Sequence, residues 1–423
     1  MIEELYSKFQ KYPTISTDSR NITKDCIFFA LKGENFNGNT YAKDALEKGA
    51  TFAVIDENEY AIGKHTILVE NVLATLQKLA TYHRKQLNIP IISLTGSNGK
   101  TTTKELINAV ISQKYNTTAT KGNLNNHIGV PLTLLSMTAD TEIGIVEMGA
   151  NHQKEIAFLS SIAEPDYGYI TNFGKAHLEG FGGVEGVIKG KSELYDHLKA
   201  NNKFIFVNGD DAKQVERTRD AQNYTFGSTD DRELKIQFVS ADPMVKAIVN
   251  GVEIQSQLIG AYNFSNIAAA IAMGTYFKVE LSQIKNAIEA YIPSNNRSQI
   301  LHKDTNKIIL DAYNANPTSM KAALDNFSNL SDAPKIAFLG DMFELGESAA
   351  AEHQFINEYA ASLHIDQVYL VGENFGRTKS INLKVSIHNS FEDLKNQFPK
   401  VQNSTLLIKG SRGMALERIL DLL

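Results

Sequence analysis

The chain has 423 residues, of which 43% are apolar and 21% charged, and a formal net charge of −6. That length implies two to four domains with large cores, and the acidic balance excludes a general attraction to nucleic acid or anionic membrane. The single cysteine, Cys26, excludes an internal disulfide framework and fits a reducing compartment, and its apolar neighbours mark it as core filler rather than a nucleophile.

The first residues, MIEELYSKFQKYP, are acidic and amphipathic, unlike a secretory leader, and no stretch approaches a membrane span, so a soluble, cytosolic protein is expected. Residues 1–83 read as a small α/β unit. Short apolar runs at 27–31, 51–55 and 66–69 alternate with helical patterns at 41–49 and 71–83. The polar stretches STDSR (16–20) and 28–41 read, on composition, as loops.

A larger unit opens at 89–92 and holds the stretch that carries most of the chemistry, IISLTGSNGKTTT at 91–103. An apolar strand ends at Thr95-Gly96. A glycine-punctuated loop then delivers Lys100 and Thr101 to a helix with Leu106, Ile107, Val110 and Ile111 on one face. Glycines let backbone N–H groups turn toward an anion, the helix start adds its dipole, Lys100 adds a point charge, and the Thr101 hydroxyl suits Mg²⁺. Gly96 and Gly99 have two residues between them where the usual phosphate loop has four.

Further on, 120–135 gathers Asn side chains beside Gly122 and Gly129, as a turn-rich connection or a polar pocket wall. The strand in 141–150 ends at Glu147, where a Mg²⁺ ligand belongs in an open α/β sheet, although a lone Glu there is as often a surface residue. A third strand leads into the Gly-rich loop of 167–183, which carries His177 and Glu179; His177 there suits a metal, a phosphate or a structural role. The helix 186–198 places Lys189 and Lys191 near its middle, and spacing alone reads both as solvated. Alternation over 229–259 (Leu234, Ile236, Phe238 and onward) predicts antiparallel strands. The Ala-rich helix of 260–277 carries Asn263 and Asn266 in its first turn, as caps or ligand contacts.

Pro, Ser and Asn at 291–300 mark a boundary, after which strands at 307–317, 335–346, 367–375 and 404–413 alternate with helical patterns at 318–328, 350–362, 391–397 and 414–423. This is a second doubly wound unit whose strand ends bring Asp311, Asp341 and Lys409 to one edge. Asn316-Pro317 reads as a helix N-cap followed by Pro at the first helical position.

Taken together, TGSNGKTTT, EMGA, ITNFGKAHLEGFGG, K-x-E-L-Y, G-x-x-N-x-x-N, a linker Arg and DAYNANP resemble the Mur ligase family, ATP-dependent amide-bond-forming enzymes of bacterial peptidoglycan precursor synthesis. Order and spacing agree along nearly the whole chain, and the short phosphate loop is the family's own variant. The resemblance implies a three-domain α/β protein: a UDP-muramoyl-binding domain (1–83), a central ATPase domain with a mostly parallel sheet (84–296) and a Rossmann-like amino-substrate domain (297–423). It implies ATP and Mg²⁺, with an acyl phosphate that an amine displaces. Residues Thr95 to Thr102 would hold the phosphates, with Ser97, Asn98, Gly99 and Lys100 at the centre, and Asn263, Asn266, Arg297 and Asp311 would complete the ATP site. Thr101, Glu147, His177 and Lys191, the last as a carbamate, would hold two metal ions. Ser19, Arg20, Asn125 and Asn126 would serve the UDP-muramoyl end, and Asn314, Asn316, Lys409 and Arg412 the acceptor side.

Within the family, YNANPTSM, LGDMFELG and HLEGFGG resemble the branch that uses UDP-N-acetylmuramoyl-tripeptide and D-alanyl-D-alanine. A monomer acting on small molecules is expected, without nucleic acid or membrane insertion. Three departures from the family pattern stand out: Tyr262 where His is common, Asn296 where Gly is usual, and NFNGNTY (35–41) in place of Asp-Gly-His. Alternatives are another ligase step, such as third-residue addition or folylpolyglutamate synthesis, a silent nucleotide-gated regulator, or a small-molecule kinase. YNANP and HLEGFGG argue against the first. Lys100, Glu147, His177 and Lys191 argue against the second, and an amine-side domain argues against the third.

Overall fold

The computed structural model describes residues 1–293, 297–332 and 334–423. Asn296, and with it the boundary expected there, lies outside the described residues. Among those described, three parallel or mixed sheets follow one another along the chain, with a small hairpin (Lys32–Gly33 with Phe36–Asn37) beside the first.

The first sheet has four parallel strands, Thr14–Ser16, Cys26–Phe29, Phe52–Ile55 and Thr66–Leu68, in that spatial order. Cys26 is fully buried in it. The helix Val72–Leu87 follows, started by the Asn71 side chain accepting from Ala74 N. The break expected at 83 falls inside this helix. Its last turns lie against the next unit: the buried Arg84 donates to the carbonyls of Ala163 and Glu164 and pairs with Asp166 at 2.6 Å.

The central sheet has nine strands. Ile91–Thr95 lies between Tyr167–Ile170 and Ile143–Glu147, so the loop after it leaves the sheet where strand order reverses, the place where open α/β sheets bind ligands. The antiparallel extension Leu234–Ala241, Met244–Val249 and Val252–Ile259 forms as expected from alternation. Phe238, read as part of its apolar face, is instead 45% exposed; it still pairs with Ala247 and lays its ring edge-on against Phe264, and the register shifts just beyond it, before Ser240.

The last sheet has six strands, ordered Gln299–Lys303, Asn306–Asp311, Thr405–Lys409, Lys335–Gly340, Gln367–Val371 and Val385–His388. The first pairs antiparallel and the rest are parallel. That antiparallel edge strand went unanticipated, being masked by the turn residues before it. The terminal helical pattern at 414–423 forms as the tighter 3₁₀ helix Leu416–Leu422 instead of an α-helix. No helix among the described residues is long and apolar enough to cross a membrane.

Candidate active site

The phosphate loop is held open by its own glycines and by the strand end beside it. Gly96 has φ of +144° and Gly99 +80°, regions that favour glycine, and a Cβ on Gly96 would sit 2.0 Å from Thr171 Oγ1. Thr171 Oγ1 and Asn172 Nδ2 both donate to the Asn98 carbonyl, at 2.6 and 3.0 Å. Asn98 N donates to Asn172 Oδ1 at 3.1 Å. Sequence reasoning missed Asn172; its signal was two polar residues directly after the strand Tyr167–Ile170.

Lys100 Nζ donates to the Gly96 carbonyl at 2.8 Å, curling back over the loop. Burial lowers its pKa, the neighbouring Glu147 opposes that, and Arg297 adds to it. Thr101 Oγ1 and Asn125 Nδ2 donate to Oε1 of Glu147, at 3.2 and 2.8 Å. Oε2 of this 1%-exposed carboxylate is buried without a protein partner. An orphaned carboxylate oxygen beside a phosphate loop fits a divalent cation, which would satisfy it. No group of three or more His, Cys, Asp or Glu side chains suited to a metal occurs among the described residues, so any cation here would also depend on hydroxyl, phosphate or modified-lysine oxygens.

Lys191 corrects the reading from helical spacing. In the helix Val184–Ala200, Lys189 is exposed, whereas Lys191 is fully buried. Its Nζ donates to the Ala150 carbonyl at 3.0 Å and lies 4.9 Å from the centre of the Phe181 ring. Burial, reinforced by the nearby Lys100 charge, drives its pKa well below the usual lysine value. A neutral buried amine is the form that can add to CO₂.

Asn263 and Asn266 are buried at the start of the helix Phe264–Tyr276. Asn266 Nδ2 donates to Asn263 Oδ1 at 2.8 Å, and its Oδ1 accepts from Thr103 Oγ1 at 3.0 Å, directly under Gly99. From the last domain, Arg297 stacks on the Tyr313 ring at 3.7 Å. Asp311 accepts from Lys409 Nζ at 2.6 Å and from Ser298 N at 3.2 Å, and Tyr262 reaches Ser298 Oγ at 2.9 Å. His177, in the left-handed region at φ of +53°, meets the Glu344 carboxylate, which this contact holds below its ordinary pKa.

These groups border a cavity of about 610 Å³ lined by Ser97 to Thr102, Glu147, Asn263, Arg297, Asp311 and Lys409, among others. A second cavity of about 260 Å³ adjoins it, bordered by Phe343, Glu344, Ser411 and Arg412. His177, Tyr313 and Asn314 line both. Asn125 and Asn126 line the larger cavity; Asn126 Oδ1 also accepts from Gly129 N at 2.9 Å. Lys409 likewise lies on the larger one, while Asn316 and Arg412 border the smaller. Thr95, Gly96 and Lys191 stand behind the wall. Ser19 and Arg20 line neither cavity, and the Arg20 guanidinium is folded onto Asp18.

A phosphate loop, a buried carboxylate beside it and a second doubly wound domain across a shared cavity define an enzyme that spends a nucleoside triphosphate on joining two other molecules. The chain belongs to the Mur ligase family, whose members are ATP-dependent amide-forming ligases. Residues 11–94 match the description "Mur ligase family, catalytic domain", 94–274 "Mur ligase middle domain" and 296–412 "Mur ligase, glutamate ligase domain". It is 34% identical to UDP-N-acetylmuramoyl-tripeptide–D-alanyl-D-alanine ligase of Bacillus subtilis, over 96% of this chain and 92% of that one. The Escherichia coli protein of the same name is 32% identical over the same shares. A crystal structure of MurF from Acinetobacter baumannii superposes with a TM-score of 0.88 at 30% identity, covering 97% of this chain and 93% of that one. MurF from Thermotoga maritima in complex with ADP gives 0.84 at 26% identity, covering 97% and 96%.

Proposed function

We propose that the protein joins D-alanyl-D-alanine to UDP-N-acetylmuramoyl-tripeptide, giving the pentapeptide precursor of peptidoglycan, ADP and phosphate. The observation that carries this reading is the pair of adjoining cavities, which share His177, Tyr313 and Asn314. A group activated in the phosphate-loop cavity is open to a nucleophile seated in the smaller one.

A carboxylate does not react with an amine at neutral pH until one oxygen becomes a leaving group. An oxygen of the tripeptide's terminal carboxylate attacks the γ-phosphorus of ATP, the bond from that phosphorus to the β,γ-bridging oxygen breaks, and ADP departs. The dipeptide's amine then attacks the acyl carbon, the bond from carbon to the phosphate oxygen breaks, and the amine's proton passes to solvent. Transfer of this kind is largely positioning and charge neutralisation. Lys100 and the loop amides would meet the β- and γ-phosphates, while Arg297 and Asp311 would face the nucleotide from the last domain. Mg²⁺, when bound, would neutralise phosphate charge. Thr101 and Glu147 would hold one ion, and His177, with Lys191 as its carbamate, would help hold a second. In this reading residues 1–83 take the UDP-muramoyl end and residues 297–423 the amine.

The test is phosphate release and product mass with Mg²⁺-ATP, D-alanyl-D-alanine, and UDP-N-acetylmuramoyl-tripeptides ending in diaminopimelate or in lysine. A pentapeptide product that requires the dipeptide is expected. Product with a free amino acid in its place, and none with the dipeptide, would overturn the reading.

A further inference from the structure

One contact joins the phosphate loop directly to the last domain. Asn316 starts the helix Pro317–Asn329: its Oδ1 accepts from Ser319 N at 2.9 Å, and its own N donates to Ser319 Oγ at 3.1 Å. The cap fixes which way the amide points, with oxygen toward the helix and nitrogen away from it. That nitrogen donates to Oδ1 of Asn98 at 2.6 Å, from a side chain only 3% exposed. Asn98 lies between Gly96 and Gly99, the two most permissive backbone positions of the loop, and its other amide atom, Nδ2, is buried without a partner. Nearby, Lys175 N, in the loop that follows the strand Tyr167–Ile170, donates to Thr318 Oγ1 at 2.9 Å, so the helix start meets two neighbouring loops of the central unit.

We propose that Asn316 is a positioning residue for phosphoryl transfer: through Asn98 it holds the phosphate loop in register only when the amine-side domain is seated. This rests on the ligase reading above. A glycine-flanked loop has several backbone states of similar energy, and a buried hydrogen bond to a rigid helix start selects one of them. The nucleotide site is thereby completed by a residue that need not touch nucleotide.

The test separates cap from contact. Asn316→Ser keeps a capping oxygen but is too short to reach Asn98. Asn316→Asp keeps the cap and offers an acceptor, to which Asn98 can present its unpartnered Nδ2 by turning its amide over. For Asn316→Ser we expect a melting temperature within about 2 °C of the parent. We also expect kcat/KM for ATP lower by about tenfold, with KM for the dipeptide within about twofold. Asn316→Asp should recover most of that loss. Combining Asn98→Ala with Asn316→Ser should cost no more than the worse single change. Binding of a non-hydrolysable ATP analogue, which needs no acceptor, should weaken about fivefold in the Ser variant and not in the Asp variant. Unchanged nucleotide kinetics and analogue binding in Asn316→Ser, a loss confined to dipeptide KM, or no recovery in Asn316→Asp would each overturn the proposal. A parent enzyme inactive with the dipeptide would refute the ligase reading instead, leaving analogue binding to judge Asn316.

Discussion

Replacing Lys191 by methionine should separate folding from chemistry. The side chain is fully buried, and its amine makes one hydrogen bond, to the Ala150 carbonyl at 3.0 Å. Losing that bond costs about 1 kcal/mol. Removing a buried amine returns about 1–3 kcal/mol of desolvation, and methionine fills nearly the same volume against Phe181. The balance lies between no change and a gain of about 2 kcal/mol, so the melting temperature should hold or rise by several degrees. Turnover should behave oppositely. If the Lys191 carbamate helps hold cation and phosphate charge, its loss removes about 3 kcal/mol of transition-state stabilisation, a fall of about 10²-fold or more. Differential scanning fluorimetry and a coupled phosphate assay measure the two effects on one preparation. In Lys191→Ala, which leaves space, short carboxylic acids should restore part of the activity. A methionine variant that melts lower yet turns over normally would refute the reasoning, because Lys191 would then be a structural residue.

Three other outcomes follow. Gly96→Ala should abolish measurable ADP binding by calorimetry, since its Cβ would meet Thr171 Oγ1 at 2.0 Å; binding within tenfold of the parent would contradict that. Tyr262→Phe keeps the ring and removes the hydroxyl that meets Ser298 at 2.9 Å, so kcat/KM for ATP should drop about fivefold, whereas a ring used only for stacking would leave it unchanged. His83, His197, His353 and His388 are all held below the ordinary 6.5 by burial, so the unfolded chain binds more protons just below that pH. Stability should therefore be complete above about pH 6.5 and decline as pH falls below it, and His83→Gln should flatten the decline seen by thermal melts at pH 5–7.5.

What could be read from the residues was whatever has a local cause. The strand, glycine loop and helix around Lys100, the carboxylate ending the strand Ile143–Glu147, and the Asn316-Pro317 helix start each depend on a few neighbours, and each formed where expected. Lys191 did not yield, because its burial comes from Phe181 and Ala150, which reach it from other segments. Nor could spacing reveal that Tyr262 meets Ser298 across the linker, that Asn98 meets Asn316 from 218 positions away, or that Glu344 meets His177. The edge strand Gln299–Lys303 was hidden by the turn residues before it: it pairs with Asn306–Asp311 and only partly buries Ile300 and Leu301, without the alternating pattern of a strand with one buried face.

The helix Val72–Leu87 has a practical consequence for dissecting the molecule. Its Leu76 and Leu79 are fully buried, and His83 and Arg84 donate to main-chain carbonyls of the central unit. Cutting the chain at 83 would break this helix, strip an apolar seam and leave the Met137 carbonyl without its His83 partner, giving two sticky fragments. The last domain is joined to the central unit in a similar way: Leu178 and Phe181 fall in one apolar cluster with Ala315, Met342 and Leu345, Glu179 N donates to the Glu344 carbonyl at 3.2 Å, and the Asn316–Asn98 hydrogen bond is buried. A cut at either boundary should therefore expose apolar surface, and domains should exchange between relatives only when the residues facing them across the seam are carried along.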